Sequence, residues 1–520
     1  MFNDLATYAI QGFSVGLVAV CSYHVYLSTS FSGEAPVKFS WLPLLGDALN
    51  MGDKPLDFLM GCAKQYGEIF GLVVGGNRLF LITDPHSNDI IIKADPKELS
   101  THEFHNTVLR NFFGLSETTL STHVGGMDDN LMRSWYSKYL YSTKELGVLT
   151  DRMQSYIHAK LKKEVDSRGK QTVDMYAWLS AFIFEASLAT LLTSECATFS
   201  PDLLESFFEF DKALPIALAG CPVTYLSGAL RGRGALYDVA SAAKKNQSQL
   251  CTLMRKRFEI FSEFSGKGQM APGDDYALQL AIMWASVGNT IPTTFWVMYF
   301  LLQEVRGAGA GVSDVWTTVM AEITRGSNSD GTFAQSELDN MPMLDACITE
   351  TLRLCSGSMI MREVIASNVT LTLSSGKSYS FRKGDRVGIC PPLAHLDEEV
   401  FTSSQTFNPR RWIVTDPGAT DAERALSVTG KLPENTLRKN GKPIPSTQAF
   451  LPFGGGASLC PGRRFARNEI KALVAVLFSS YDLEVEGSAY ASRPAFDGSR
   501  AGLGIFPPAS SPRLHVSPKQ

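Results

Sequence analysis

No Cys-x-x-Cys pair occurs in the 520 residues, although the chain holds nine cysteines, at 21, 62, 196, 221, 251, 347, 355, 390 and 460. An odd number at irregular spacing excludes a disulfide scaffold and a cysteine zinc site, and it suits a reducing compartment. Long runs of one charge sign are also missing. The net charge is −4, so nothing points to nucleic acid as a partner. No basic residue precedes Lys38, which removes the basic start of a cleaved secretory signal. From Leu5 to Leu27 charge is absent altogether unless His24 is protonated. That length spans a bilayer as a helix, so we read residues 1–33 as an uncleaved anchor, with a buried helix as the alternative. Lys38, the first cation, follows the span and puts the main body on the cytosolic side.

What is present centres on Phe453-Gly454-Gly455-Gly456-Ala457-Ser458-Leu459-Cys460-Pro461-Gly462. This loop sets one cysteine at the start of an apolar helix expected over about 463–480. A helix N-terminus carries unpaired N–H groups and partial positive charge, which favour a thiolate. Glycines let backbone approach something flat or bulky. A thiolate so presented is a soft ligand for iron. A lone cysteine is more often core, and a glycine loop before a helix can hold phosphate. The phosphate version wants Lys-Ser or Lys-Thr after the last glycine, and this loop has neither.

The rest of the chain reads as mainly helical with small sheets. Glu68–Val74 and Arg78–Ile82 are β-rich runs split by Gly75-Gly76-Asn77, a hairpin. Residues 101–127 have no clear period and read as an irregular binding loop. Helical patterns follow over 131–165 and 173–192. The segment 203–219 carries Phe207, Phe210, Leu214 and Ile216; it reads as core, or as a lid that touches membrane lipid. Tyr276–Arg306 is a long helix, apolar on nearly every side and so buried. Gly288 and Pro292 weaken its ladder around Asn289 and Thr290 and predict a kink. A polar kink in a buried helix is costly unless it is used; a back-bonded Thr290 and a satisfied Asn289 are the structural alternative. The Gly- and Ser-rich segment 307–333 reads as a loop. Residues 343–354 are helical, with Glu350 and Arg353 on one face. Strands are expected over 369–381 and 386–389, and Asn440-Gly441 marks a turn.

Glu350-x-x-Arg353, then Phe407-x-Pro409-x-Arg411-Trp412, then Phe453-x-x-Gly456-x-x-x-Cys460-x-Gly462 come in this order. Together they resemble the cytochrome P-450 family, from Pro36 to near the C-terminus. The resemblance implies a mainly α fold with small β-sheets behind an N-terminal transmembrane helix, the catalytic domain filling 34–520. It implies one haem b, with Cys460 as the iron ligand and Phe453, Gly456 and Gly462 shaping the loop around it. Arg362 matches a haem-propionate position, and Glu350, Arg353 and Arg411 match a buried charge network. Trp284–Trp296, Ala394-His395-Leu396-Asp397 and Asp497–Pro508 are similar to the branch of cholesterol and oxysterol 7α-hydroxylases and prostacyclin synthase. Members of that branch line the substrate pocket with the C-terminal loop, and the walls expected here are Phe207, Phe210, Leu214, Ile216, Ala285, Ala501, Leu503 and Ile505.

Three departures stand out. Gly288 and Asn289 replace the acid and alcohol that most family monooxygenases carry. Ser458 replaces a basic propionate ligand. Trp135 is followed by Lys138 and Tyr139, so the usual Trp-x-x-x-Arg is missing. The leading expectation is an O₂-dependent hydroxylase of a sterol or similar small lipophilic substrate at the endoplasmic reticulum membrane. Asn289 and Thr290 would orient oxygen, water or a substrate hydroxyl. Electrons would come from NADPH through a separate cytochrome P-450 reductase, since no flavin or nicotinamide fingerprint is visible. The alternatives are a haem-thiolate isomerase of a lipid peroxide, a hydroxylase of a non-sterol secondary metabolite, and a haem-containing lipid-binding or sensing protein.

Overall fold

Apolar residues along 274–306 give two helices, Asp274–Val287 and Thr290–Arg306, that cross the interior. The computed structural model describes residues 16–122, 130–218, 220–306, 313–413, 432, 436–486 and 493–519. The regular helix stops at Gly288 and Asn289. Pro292 has no N–H for the Gly288 carbonyl, so the ladder opens there. Two bonds carry the chain across the break: Gly288 N–H donates to Trp284 O (2.9 Å) and Thr293 N–H to Asn289 O (3.2 Å). Phe295, Trp296 and Tyr299 are fully buried beyond it. Trp296 Nε1 donates to Phe506 O at 2.7 Å, which satisfies the one polar atom of a buried indole. Helices Met175–Leu191, Pro342–Cys355 and Arg463–Ser480 pack around this centre.

Strands are few and short. The largest sheet runs Ile69–Val74, Asn77–Ile82, Arg386–Ile389, Ile360–Val364 and Leu99–Ser100. Its first two strands form the expected hairpin, whose turn holds Gly75 and Gly76 at φ +57° and +75°. The Ile360–Val364 strand brings Arg362 to the edge of the cysteine loop.

Residues 16–27 are helical, and Leu17, Val18, Tyr23, Val25 and Tyr26 are exposed on it. Among the described residues no helix is long and apolar enough to cross a membrane; residues 1–15 of the expected anchor lie outside them. The exit from this helix is tied to the body. Arg382 donates to Glu34 through Nε and Nη2, both at 2.7 Å, and Arg78 donates to the same carboxylate at 3.0 Å. The Arg382 guanidinium also lies 4.5 Å from the Tyr26 and Phe31 ring centres.

Several expected boundaries shift. The segment read as a loop over 307–333 contains the helix Asp314–Gly326. Val315, Val319 and Ile323 recur every fourth residue and bury one face, and Ser313 caps the start by accepting from Trp316 N–H. The Gly-rich part is confined to 307–311, which lies outside the described residues. The helix expected over 131–165 is two, Asn130–Tyr141 and Thr143–Leu161. The irregular loop over 101–127 contains the helix His102–Val108 and a π-turn at Leu109–Phe113; 123–127 lie outside the described residues. Asn440-Gly441 does turn between the short strands Leu437–Lys439 and Lys442–Ile444.

Candidate active site

The cysteine loop is shaped by two glycines that no other residue could replace without movement. Gly454 and Gly456 have φ +77° and +55°. A Cβ on Gly454 would lie 2.5 Å from Ser458 O, and one on Gly456 2.1 Å from Ile92 O. The loop folds back so that Cys460 N–H donates to Phe453 O at 2.8 Å. Helix Arg463–Ser480 starts three residues later. Burial pushes the Cys460 thiol up, while the N–H groups of Gly462 and Arg463 and the Arg463 charge pull the other way. Burial wins in the protein alone. A coordinated metal reverses this, because a thiol bound to a metal is deprotonated.

Behind the loop lies a charge network centred on the fully buried Glu350 and Arg353. Glu350 accepts from Arg353 Nη2 (2.8 Å) and Nε (3.0 Å), Arg411 Nε (3.1 Å), Asn408 N–H (3.1 Å) and Trp412 Nε1 (2.8 Å). Arg353 also donates to the carbonyls of His395 and Ser404. His395 in turn accepts Leu451 N–H through Nε2 at 3.1 Å. The network thus reaches the strand of chain that enters the cysteine loop.

The loop faces a cavity of about 470 Å³. Phe453, Cys460 and Gly462 lie on one wall, and Ala285, Asn289 and Thr290 at the helix break on another. Leu503 and Ile505 come from the C-terminal turn, and Phe104 and His105 from the 102–108 helix. Among the described lining residues Cys460 is the one cysteine, and none is Asp or Glu. Thr290 Oγ1 donates to Ser286 O (2.8 Å), the back-bond that stabilises a polar residue in an apolar helix. Asn289 Oδ1 accepts from Ile505 N–H (3.1 Å) and Arg500 Nη2 (3.4 Å). Arg362 is buried and donates to Ser458 Oγ at 2.8 Å, so those two positions meet at the loop edge. Gly456 and Ala501 sit beside the cavity without lining it.

The walls expected from Phe207, Phe210, Leu214 and Ile216 are elsewhere. Phe210 stacks on Phe112 with ring centres 4.0 Å apart, and Phe207 packs against Phe184 at 5.3 Å. Leu214 is core, and Ile216 is 45% exposed on the outer surface. Apolar content marks these residues as buried; it does not say against which neighbour. The sequence reading assigned no role to Asp211, Trp284 or Arg500, which form one cluster with Asp211 and Arg500 buried and Trp284 half-buried. Asp211 stands beside Glu205, Glu209 and Lys212, so nothing local singled it out.

The donor set fits an iron porphyrin. Among the described residues no three His, Cys, Asp or Glu side chains are grouped to hold a bare ion. A lone thiolate suits an iron whose remaining in-plane donors arrive with a macrocycle. Arg362 with Ser458 offers polar contacts at the edge of such a group.

Comparison with known proteins agrees. The cytochrome P450 family model matches residues 36–219 and 238–496. The chain is 31% identical to cytochrome P450 7A1 of Oryctolagus cuniculus over 487 residues, 92% of each chain. It is 29% identical to cholesterol 7-alpha-monooxygenase of Cricetulus griseus over 493 residues and 26% identical to prostacyclin synthase of Homo sapiens over 491, again 92% of each chain. A fold that presents one cysteine on a glycine loop before a helix is that of a haem-thiolate protein. The chain belongs to the cytochrome P450 family, whose cofactor is haem b.

Proposed function

We propose that the chain is a monooxygenase that hydroxylates a sterol or a similarly rigid lipophilic substrate, with Cys460 as the iron ligand. The observation that carries this reading is one apolar cavity with Cys460 on one wall and the Asn289–Thr290 break on another. Similarity over 92% of the chain to a cholesterol 7-alpha-monooxygenase supports the sterol class. When bound, the haem supplies oxygen activation, which a cysteine thiolate favours by donating electron density. The chain's own residues do the rest. Arg362 and Ser458 hold the edge of the group. Ala285, Leu503, Ile505 and Met359 exclude water and fix the substrate against the reacting face. Thr290, whose hydrogen is spent on Ser286 O, offers lone pairs to water. Asn289 offers the N–H groups of its carboxamide.

Residues 1–33 serve as the membrane anchor and 34–520 as the catalytic domain, held on the cytosolic face of the endoplasmic reticulum. Exposed Trp41, Leu42, Leu44 and Leu45 extend the apolar surface of the 16–27 helix toward lipid. Electrons come from an NADPH-dependent reductase. The test is a substrate-binding spectrum of the purified haem protein over sterols and other lipids, followed by turnover with reductase and NADPH. A shift to high-spin iron with sterols and NADPH-dependent hydroxylation is the expected result. The absence of both across the sterol panel would reject the sterol reading.

A second reading, a haem-thiolate isomerase of a lipid peroxide, is favoured by one observation: among the described residues no carboxylate lines the cavity. Isomerisation needs no net delivery of protons or electrons. Rapid turnover of a lipid peroxide without NADPH would select it.

A further inference from the structure

We propose that Asp211 and Arg500 are positioning residues that aim the Asn289 carboxamide, so that the cavity meets its N–H groups and not its oxygen. The inference rests on the reading of the cavity as a haem–thiolate site and goes beyond it to residues outside the lining. Both side chains are buried, at 7% and 5% exposure, and they form an ion pair through Arg500 Nη1 and Asp211 Oδ2. Trp284 Nε1 donates to the other oxygen of Asp211 at 2.7 Å. Arg500 Nη2 then donates to Asn289 Oδ1 at 3.4 Å, and Ile505 N–H donates to the same oxygen at 3.1 Å.

A carboxamide can turn over and exchange its oxygen for its NH₂ group at almost no steric cost. Two donors converging on one end remove that choice. The reversed amide would set NH₂ against a guanidinium and a backbone N–H, all of them donors. Gly504 lets the turn come this close: at its φ of +147° a Cβ would stand 2.1 Å from Asn289 Oδ1. Asp211 keeps the second donor in place. It neutralises a buried guanidinium that would otherwise seek water. The cluster joins the end of helix Leu203–Asp211, the break in the central helix and the Gly498–Arg500 turn. Neither Asp211 nor Arg500 lines the cavity, so both act through Asn289.

The test is the infrared stretch of carbon monoxide bound to the reduced haem protein, which shifts when a hydrogen-bond donor faces the bound diatomic. Wild type, N289A, D211N, R500M and R500K are compared, with haem content and the thiolate-type carbon monoxide absorption measured alongside. N289A should move the band. D211N and R500M should move or split it in the same direction at unchanged haem content, and R500K should restore part of the wild-type band. Should R500M not fold, the D211N/R500M double variant removes both charges together and carries the same expectation. A wild-type band in D211N and R500M alongside a shifted N289A would overturn the proposal alone, as would an N289A band identical to wild type. A wild-type protein without thiolate-type absorption would overturn both this proposal and the reading beneath it.

Discussion

His395 Nε2 accepts the backbone N–H of Leu451 at 3.1 Å, and the His395 carbonyl accepts from Arg353. One residue therefore joins the buried charge network to the chain that enters the cysteine loop. Replacing it by Phe keeps a ring against Phe450 but leaves Leu451 N–H buried without a partner. That costs about 1–3 kcal/mol. H395F should show a lower denaturation midpoint and faster transfer of haem to an apo-acceptor protein. The pH dependence gives a second handle. Burial, with the Arg353 charge, pushes the imidazole down from 6.5 to about 3. A base depressed in the folded state adds stability above its unfolded value, and that share is lost as pH falls below 6.5 toward 3. Wild type should therefore lose stability between pH 7 and 5 more steeply than H395F.

Trp412 Nε1 is one of five donors to Glu350, and the least exposed large ring beside it. W412F removes the donor and retains most of the ring. We expect a loss of about 1–3 kcal/mol in urea denaturation. E350Q strips the counter-charge from Arg353 and Arg411 together and should cost about 3–5 kcal/mol, expressed as little or no haem-loaded protein.

Gly456 is a steric test of the loop. G456A places a methyl against Ile92 O in a backbone conformation that L residues rarely adopt. Reduced haem content with little change in helical circular dichroism is the expected outcome. A fully loaded G456A protein would mean that the loop relaxes freely.

Glu322 titrates in the opposite sense to His395. It is buried at the start of helix Pro342–Cys355, where it accepts from the N–H groups of Met343 (2.8 Å) and Leu344 (3.1 Å). Burial raises its carboxyl from 4.5 to about 7 against those two donors. An acid raised in the folded state contributes fully below its unfolded value, and the contribution fades as pH climbs from 4.5 through 7. E322Q should therefore gain on wild type at pH 8 relative to pH 5, by on the order of 2 kcal/mol. Paired denaturation curves at the two pH values measure this.

Local signals were readable along the chain, and long-range ones were not. Gly288 and Pro292 announced the helix break, because each weakens the ladder wherever it stands. The loop before Cys460 and the helix after it were legible for the same local reason. Glu350 and Arg353 are three apart, so their pairing was locally legible, whereas their burial came only from the family resemblance, since nothing near them places Trp412 Nε1 or Asn408 N–H. Phe207 and Phe210 were correctly apolar and wrongly assigned to the cavity wall. Their partners, Phe184 and Phe112, lie on other helices. Asp211 and Arg500 are 289 residues apart and meet only in the folded chain. The helix Asp314–Gly326 was hidden by the Gly and Ser residues on either side of it, which masked a four-residue repeat.

Glu34 sets a limit for anyone shortening this protein to free it from lipid. Its carboxyl, although burial works against it, is held down to about 2 by Arg382, Phe31 N–H and Arg78. A version starting at Ser28 keeps that carboxylate. A version starting at Val37 leaves Arg382 without it, and Arg78 with only the more distant Asp385 at 3.6 Å. The few residues between those two start points then decide whether a soluble preparation keeps its first sheet intact. An added Glu in the leader, or Arg382→Gln in the shorter version, is the natural remedy.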